Sequence, residues 1–115
     1  MKPEIEGMSK KTNIALWEIL VPKELYGSQF ILAHHKIWDK KVKDISGGLT
    51  ILKVAKGEWL SPYGGLFKEE MIPVRIACTK EQIEEIADFT IKHYKQEVVL
   101  YYKISDEVVF KKIEK

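Results

Sequence analysis

The sequence has little of what marks several large classes of protein. A single cysteine, Cys78, excludes an intramolecular disulfide and a cysteine metal cluster. No apolar run approaches the roughly 18–20 residues that span a bilayer, so we expect no membrane association. Lysines and acidic residues are mixed along the chain with a formal net charge of +2, which gives nucleic-acid binding no support. The sequence also lacks the motifs of a metal site, a catalytic triad or a phosphate loop, so we expect no metal and no cofactor.

The remaining composition is typical of one small folded unit. The chain has 115 residues, of which 45% are apolar and 31% charged. Residues 1–11 are polar and lack the apolar core of a signal peptide, which predicts a flexible N-terminal tail before a single domain over 12–115. We expect Cys78 to be a buried thiol in a reducing compartment, which indicates a cytoplasmic protein.

The first half of the chain predicts a strand followed by a helix. In the segment 13–21, residues 14–21 are apolar at both parities of a period-2 pattern except at Glu18, as in a strand covered on both faces. Residues 23–45 place apolar side chains on one helical stripe, with Ser28 as an alternative start. The glycine pair after Ser46 predicts the end of this helix.

The second half predicts a hairpin, a helix and further strands. Strands over 49–60 and 66–78 flank the turn residues 61–65, and Pro73 indicates an edge position or a bulge. Thr79 and Gln82 have the spacing of a capping box and open a helix that reaches Tyr94. Strands over 98–102 and 108–113 follow, separated by a turn at 105–107. This order is the β-α-β-β-α-β layout of an α+β, ferredoxin-like fold, here with a short extra C-terminal strand.

In such a fold both helices cover one face of the sheet and leave the other face open. That open face would carry apolar side chains such as Trp17, Ile19, Val99 and Tyr101, or their opposite-parity neighbours. A large apolar patch usually marks an interface, so we expect a homo-oligomer.

Few residues are candidates for chemistry. His34 and His35 are adjacent on a helix, so their side chains point about 100° apart, and His93 is far away in sequence. The three are expected to be exposed or half-buried helix histidines without a metal. The hairpin is more informative, because pairing its strands brings Trp59 near Glu69. A carboxylate beside aromatic rings suits an organic cation, although charges on an exposed edge are also common.

The stretch from Gly57 to Lys103 resembles the S-adenosylmethionine-cleaving enzymes of bacteriophages, known as SAM hydrolases and understood as lyases. Gly57-Glu58-Trp59 closes one strand, and Glu69-Glu70 opens the next, which continues through residues 73–78. An amphipathic helix then leads through Gln96-Glu97 into the strand that ends at Lys103. One departure is Trp59, where the phage enzymes are expected to have tyrosine; if that hydroxyl contributes, Tyr63 or another tyrosine replaces it.

The resemblance implies a trimer with a PII-like fold and a substrate bound between subunits in the host cytoplasm. The carboxylate of S-adenosylmethionine attacks its own γ-carbon and yields methylthioadenosine and homoserine lactone. The protein then supplies mainly orientation and electrostatics. Glu69 is the candidate catalytic residue, holding the charged end of the substrate, and the candidate substrate-binding residues are Trp59, Tyr63, Glu70 and Arg75.

Two other functions stay open at the level of sequence. A non-enzymatic ferredoxin-like oligomer could bind a nucleotide or metabolite between its subunits and signal its presence. A small phage-type inhibitor protein would instead bind a protein partner and no small molecule.

Overall fold

A computed structural model describes residues 13–25, 28–60, 62 and 66–113, apart from the side chains of residues 59 and 66–69. The predicted tail, residues 1–11, lies outside the described residues. The elements, in chain order, are β1 (Ala15–Pro22), β2 (Glu24–Leu25), β3 (Ser28–Gln29), α1 (Leu32–Ser46), β4 (Thr50–Ile51), β5 (Ala55–Leu60), β6 (Leu66–Cys78), α2 (Lys80–Tyr94) and β7 (Tyr101–Ser105).

The main sheet is antiparallel and has the strand order β4-β6-β1-β7, with β5 also paired to β6. The central ladder joins β1 to β6 from Ala15 opposite Cys78 to Pro22 opposite Met71. On its other side, β1 pairs with β7, so the first strand of the chain lies in the middle of the sheet. Both helices pack against one face, which confirms the predicted α+β, ferredoxin-like arrangement.

Alternation along β1 decides which face the helices cover. Trp17 and Ile19 are buried beneath them, together with Val74 and Ile76 of β6. Val99 and Tyr101 also pack against this core, so the opposite-parity neighbours form the other side. We call that side the second face of the sheet. Its members, with side chains from half-buried to exposed except for Glu18, are Leu16, Glu18, Leu20, Arg75, Leu100, Tyr102 and Ile104.

The start of the first helix differs from the prediction. Residues 24–25 and 28–29 form the two short strands β2 and β3, in which Glu24 pairs with Gln29, and α1 begins only at Leu32. The N–H of Phe30 donates to the Lys23 carbonyl at 3.1 Å, so the residue after β3 is bonded to the residue before β2, ahead of the helix. The predicted end is confirmed, because Gly47 has a φ of 93° and donates its N–H to Lys43.

The hairpin departs from a regular antiparallel ladder because one of its two sides contains a β-bulge. Ile51 pairs with Val74 and Ala55 pairs with Met71, so one extra residue lies on the β4–β5 side. The Pro73 carbonyl accepts from Leu52 at 2.9 Å, so the proline nitrogen, which has no hydrogen to donate, also points toward this irregular stretch. The predicted bulge is confirmed, whereas the edge position is wrong, since β6 has neighbours on both sides.

The second helix follows its prediction closely. The Thr79 hydroxyl accepts from the Gln82 N–H, and the Gln82 side chain accepts from the Thr79 N–H. Its buried stripe fills the core under the sheet and comprises Ile83, Ile86, Ala87, Thr90 and Tyr94. Neither helix in the described part of the chain is long and apolar enough to cross a membrane.

The C-terminal strands required correction. The last ladder strand spans Tyr101–Ser105 rather than 98–102, because residues 95–100 return the chain from the end of α2 to the sheet. Residues 107–113 form no strand, and Val109 and Ile113 are largely exposed. Apolar residues can favour a strand but cannot supply the neighbour that it must pair with.

Candidate functional site

The sequence motifs of the predicted site lie on the β5–β6 hairpin. Gly57 pairs with Glu69 across the ladder, and Trp59 pairs with Phe67, two positions nearer the turn. The backbone thus places Trp59 and Glu69 on the same ladder, two rungs apart. Tyr63 lies outside the described residues, and so do the side chains of Trp59 and Glu69.

This hairpin extends past the main sheet as an arm, defined here as β5 together with residues 66–70 of β6. The ladder with β1 ends at Met71, so the five residues before it reach about 17 Å farther at ~3.4 Å per residue. The described molecule measures 55 × 30 × 22 Å, consistent with a projecting element. An arm of this kind can contact a second molecule without disturbing the core.

Gly57 has a packing role at the base of the arm. A Cβ built at this position would come within 2.7 Å of the Met71 Cε. The glycine therefore leaves space for a neighbouring side chain on the paired strand, and this alone can explain its place in the sequence motif.

Glu70 also lies at the base of the arm, where it pairs with Lys23. The Lys23 Nζ is 3.3 Å from Glu70 Oε1, and the Lys23 N–H donates to the Glu70 carbonyl at 3.3 Å. Both side chains are partly exposed, so the ion pair is weak in free-energy terms. It nevertheless links the segment after β1 to the arm.

Arg75 lies on the second face of the sheet within a polar cluster. Its Nε donates to Glu18 Oε1 at 3.0 Å, and the Tyr102 hydroxyl donates to Glu18 Oε2. Glu18 lies directly opposite both partners in the strand register and is only 8% exposed. Each of the two carboxylate oxygens of Glu18 therefore accepts a hydrogen bond from one partner.

The electrostatics of this cluster follow from those contacts. Burial alone would raise the pKa of Glu18, but the hydrogen bonds from Tyr102 and Arg75 and the Arg75 charge outweigh it and lower the pKa. The hydrogen bond to Glu18 raises the pKa of Tyr102, and burial adds to that effect. At neutral pH, Glu18 is therefore ionised and Tyr102 is a neutral donor.

One subunit does not bring all the predicted residues together. Arg75 and Glu69 are six residues apart on the straight strand β6, which separates their Cα atoms by about 20 Å at ~3.4 Å per residue. They cannot hold the same charged group of one small molecule within a single chain. Sequence reasoning also missed Glu18 and Tyr102. Glu18 is the only charged residue in the otherwise apolar strand β1, and this position could have pointed to the cluster.

The histidines are closer together than their sequence positions suggest. The rings of His34 and His93 stack with centroids 3.7 Å apart, and each Nε2 donates to the backbone carbonyl of the other residue, at 2.8 and 2.7 Å. These reciprocal bonds join α1 to α2. No group of three potential ligands for a metal ion occurs in the described part of the chain, and the stacked histidines act as a link between helices.

Comparison with known proteins identifies the fold. The sequence matches no protein-family model and no curated protein. Among solved structures, the divalent cation tolerance protein CutA1 from Thermus thermophilus is 8% identical with a TM-score of 0.60, covering 86% of this chain and 87% of that one. The periplasmic CutA from Archaeoglobus fulgidus is 14% identical with a TM-score of 0.61, covering 85% and 88%.

A phage SAM lyase in complex with S-methyl-5′-thioadenosine also superposes on this chain. It is 12% identical with a TM-score of 0.60, covering 81% of this chain and 90% of that one. Structural similarity at such low sequence identity establishes the fold and leaves the activity open. The chain therefore has the ferredoxin-like architecture of PII-like proteins, which both CutA proteins and a phage SAM lyase share.

Proposed function

We propose that this protein is an S-adenosylmethionine lyase that works as a homo-oligomer, with its site between copies of the chain. The substrate carboxylate attacks its own γ-carbon, and the γ-carbon–sulfur bond breaks as the carbon–oxygen bond forms. The electron pair of the broken bond goes to sulfur, so methylthioadenosine leaves as a neutral thioether. Homoserine lactone keeps the ammonium charge, and no water is consumed.

The observation that carries this proposal is the shared ladder of the two sequence motifs. Gly57 of the first motif lies opposite Glu69 of the second, on an arm that extends past the sheet. The fold is also one that a phage SAM lyase adopts. An intramolecular reaction of this kind requires orientation and charge stabilisation rather than a protein nucleophile, which suits the residues on the arm.

The second face of the sheet supports assembly of several copies. Leu100, Tyr102 and Ile104 are between 40% and 55% exposed, and Leu16 and Leu20 flank the buried Glu18 beside them. An apolar face of this kind is typical of an interface. We propose a trimer of the single domain 12–115 in which this face is covered by neighbouring copies.

Assembly also explains how distant residues could share a substrate. With Glu69 and Arg75 about 20 Å apart on one strand, a site using both takes them from different copies. In this proposal Glu69 holds the charged end of the substrate and is the catalytic residue. Trp59 and Tyr63 contact the sulfonium and adenosine portions through aromatic surfaces, and Arg75 binds a carboxylate.

We further propose that the protein acts in the cytoplasm, that of the host if it is phage-encoded, where its substrate is made. Cys78 is fully buried, and burial raises the pKa of its thiol to about 11. A thiol this deeply buried is inert and consistent with a reducing compartment.

A product assay tests the proposal directly. Purified protein is incubated with S-adenosylmethionine, and methylthioadenosine and homoserine lactone are separated by chromatography. In ¹⁸O-labelled water, freshly formed lactone should contain no label, because the ring oxygen comes from the substrate carboxylate. Glu69→Gln should abolish product formation, whereas Glu85→Gln, at an exposed position on α2, should not change it. A folded oligomer that forms no methylthioadenosine contradicts the proposal.

A second function is compatible with the same fold, which this chain also shares with the CutA structures. In that case the protein is a non-enzymatic oligomer that binds a nucleotide or similar metabolite between its subunits. A thermal-shift comparison of S-adenosylmethionine with adenine nucleotides distinguishes the two functions. Stabilisation without methylthioadenosine formation supports the binding protein.

A further inference from the structure

A cleft of about 190 Å³ lies on the helix side of the sheet, opposite the second face. It opens between α1 and the short edge strand β4. Its apolar walls include Trp38 from the helix, Ile51 from β4, and Ile72 and Val74 from β6. Trp38 and Val74 are fully buried, whereas Ile51 is half exposed at the mouth, so the cleft leads from solvent toward the core.

Three polar side chains lie in this otherwise apolar cleft: His35, Asp39 and Tyr94. His35 Nδ1 and the Tyr94 hydroxyl are 2.7 Å apart. Burial lowers the pKa of His35, so the imidazole is neutral at pH 7. With its proton on Nε2, Nδ1 accepts the hydrogen of Tyr94, and the hydroxyl oxygen keeps its lone pairs for another donor.

Asp39 is the acidic side chain that lines the cleft. It is half-buried, and its carboxylate makes no hydrogen bond or ion pair within the described part of the chain. Burial raises the pKa of this carboxyl, with the charges of His35, Lys43 and Lys36 opposing that shift. A carboxylate in a partly desolvated, apolar setting is a strong attractor for a cation that also has an apolar body.

The volume of the cleft limits the apolar part of such a cation to about one ring. A cavity of about 150 Å³ lined by apolar side chains is large enough to hold benzene. The 190 Å³ cleft therefore accommodates a single ring with a short aliphatic substituent. We propose that this cleft binds a small hydrophobic amine, with its ammonium on Asp39 and the Tyr94 oxygen and its ring against Trp38 and Ile72. This site is separate from the proposed lyase site.

Benzylamine is a suitable probe, and benzyl alcohol is its neutral counterpart of the same shape. Each is titrated into the ¹⁵N-labelled full-length protein at pH 7, and the amide shifts of Ile51, Ile72 and Val74 report on the cleft. We expect benzylamine to saturate with a dissociation constant on the order of millimolar, as is usual for a fragment of this size. Benzyl alcohol should bind about tenfold more weakly, because it lacks the charge that pairs with the carboxylate.

Asp39→Asn removes the charge and keeps the shape, so it should weaken benzylamine binding about tenfold and leave benzyl alcohol unchanged. Asp44→Asn is the matched control, since Asp44 is exposed on the same helix and pairs with Lys40 at 3.1 Å. It should bind benzylamine as the parent protein does. Equal affinity for the two probes in the parent protein overturns the proposal without any variant. Shifts outside the cleft only, or benzylamine binding unchanged by Asp39→Asn, also overturn it.

Discussion

Replacing Tyr102 by phenylalanine removes one hydroxyl from the second face and leaves the carboxylate of Glu18 with Arg75 alone. The Glu18 side chain is 10% exposed, so solvent can replace the lost donor only in part. A hydrogen bond to a charged group contributes about 1.5–3 kcal/mol. Because Tyr102 itself is 40% exposed, we expect the lower part of that range, about 1.5–2 kcal/mol.

The assay is urea unfolding of Tyr102→Phe beside Tyr101→Phe. Tyr101 is the neighbour on the same strand, and its ring lies 6.0 Å from Trp17 on the core side. Its hydroxyl makes no hydrogen bond within the described residues, so losing it should cost less than about 0.5 kcal/mol. The experiment is done at several protein concentrations, because assembly through this face would add to the measured stability.

The pH dependence gives this prediction its second test. Because the pKa of Glu18 is lowered in the folded state, its ionised carboxylate stabilises the fold. This stabilisation is complete when the pH is above 4.5, the ordinary pKa of the group, and is lost as the pH falls through the folded-state pKa. Without Tyr102 the pKa of Glu18 rises, so the gap between parent and variant should narrow below pH 4.5. A Tyr102→Phe protein as stable as Tyr101→Phe, or a gap that does not change with pH, would refute the reasoning.

Three further predictions concern the helix layer. Thr90→Val leaves the buried Trp38 Nε1–H without its acceptor at 2.9 Å and should lower the free energy of unfolding by about 1–3 kcal/mol, whereas Thr90→Ser should restore most of it in urea titrations. Burial lowers the pKa of His35, so neutral His35 costs the fold nothing when the pH is above 6.5, the ordinary pKa of the group, and the fold loses stability as the pH falls below 6.5. Between pH 6.5 and more acidic values, the melting temperature of the parent should therefore drop more than that of His35→Gln. Gly47→Ala, at a φ of 93°, should lower the free energy of unfolding by about 1 kcal/mol in the same titrations, whereas Gly48→Ala, whose added Cβ meets nothing within 4 Å, should be nearly neutral.

Features set by nearby residues could be predicted from the sequence. The capping box of Thr79 and Gln82 depends on four consecutive residues, and the stop at Gly47 depends on one backbone angle. The strand 66–78 was also predicted with its observed bounds, because turn residues and a capping residue enclose it. The element order was enough to give the ferredoxin-like layout.

Features that depend on distant residues could not be predicted. The stacking of His34 on His93 requires the packed arrangement of two helices, which no local pattern encodes. The sequence over 24–29 has a helical pattern of apolar residues, yet residues 24–25 and 28–29 form two short strands, and Phe30 bonds back to Lys23. The expected final strand 108–113 is absent because a strand requires a neighbour as well as a suitable composition.

The candidate site could be predicted only as a set of residue types on one hairpin. The sequence indicated that Trp59 and Glu69 approach each other, and the ladder places them two rungs apart. It could not show that Arg75 is about 20 Å from Glu69, or that Arg75 is bonded to Glu18, whose other oxygen accepts from Tyr102. Distances along a strand become meaningful only after the register is known.

Formation of methylthioadenosine by the purified protein tests the central claim most directly. S-adenosylmethionine is incubated with the parent protein, with Glu69→Gln and with the control Glu85→Gln, and products are separated by chromatography. The account predicts that the parent and the control form methylthioadenosine and homoserine lactone at the same rate. Glu69→Gln should form neither product above the uncatalysed background. Folded oligomers of all three proteins that leave S-adenosylmethionine equally intact would contradict it.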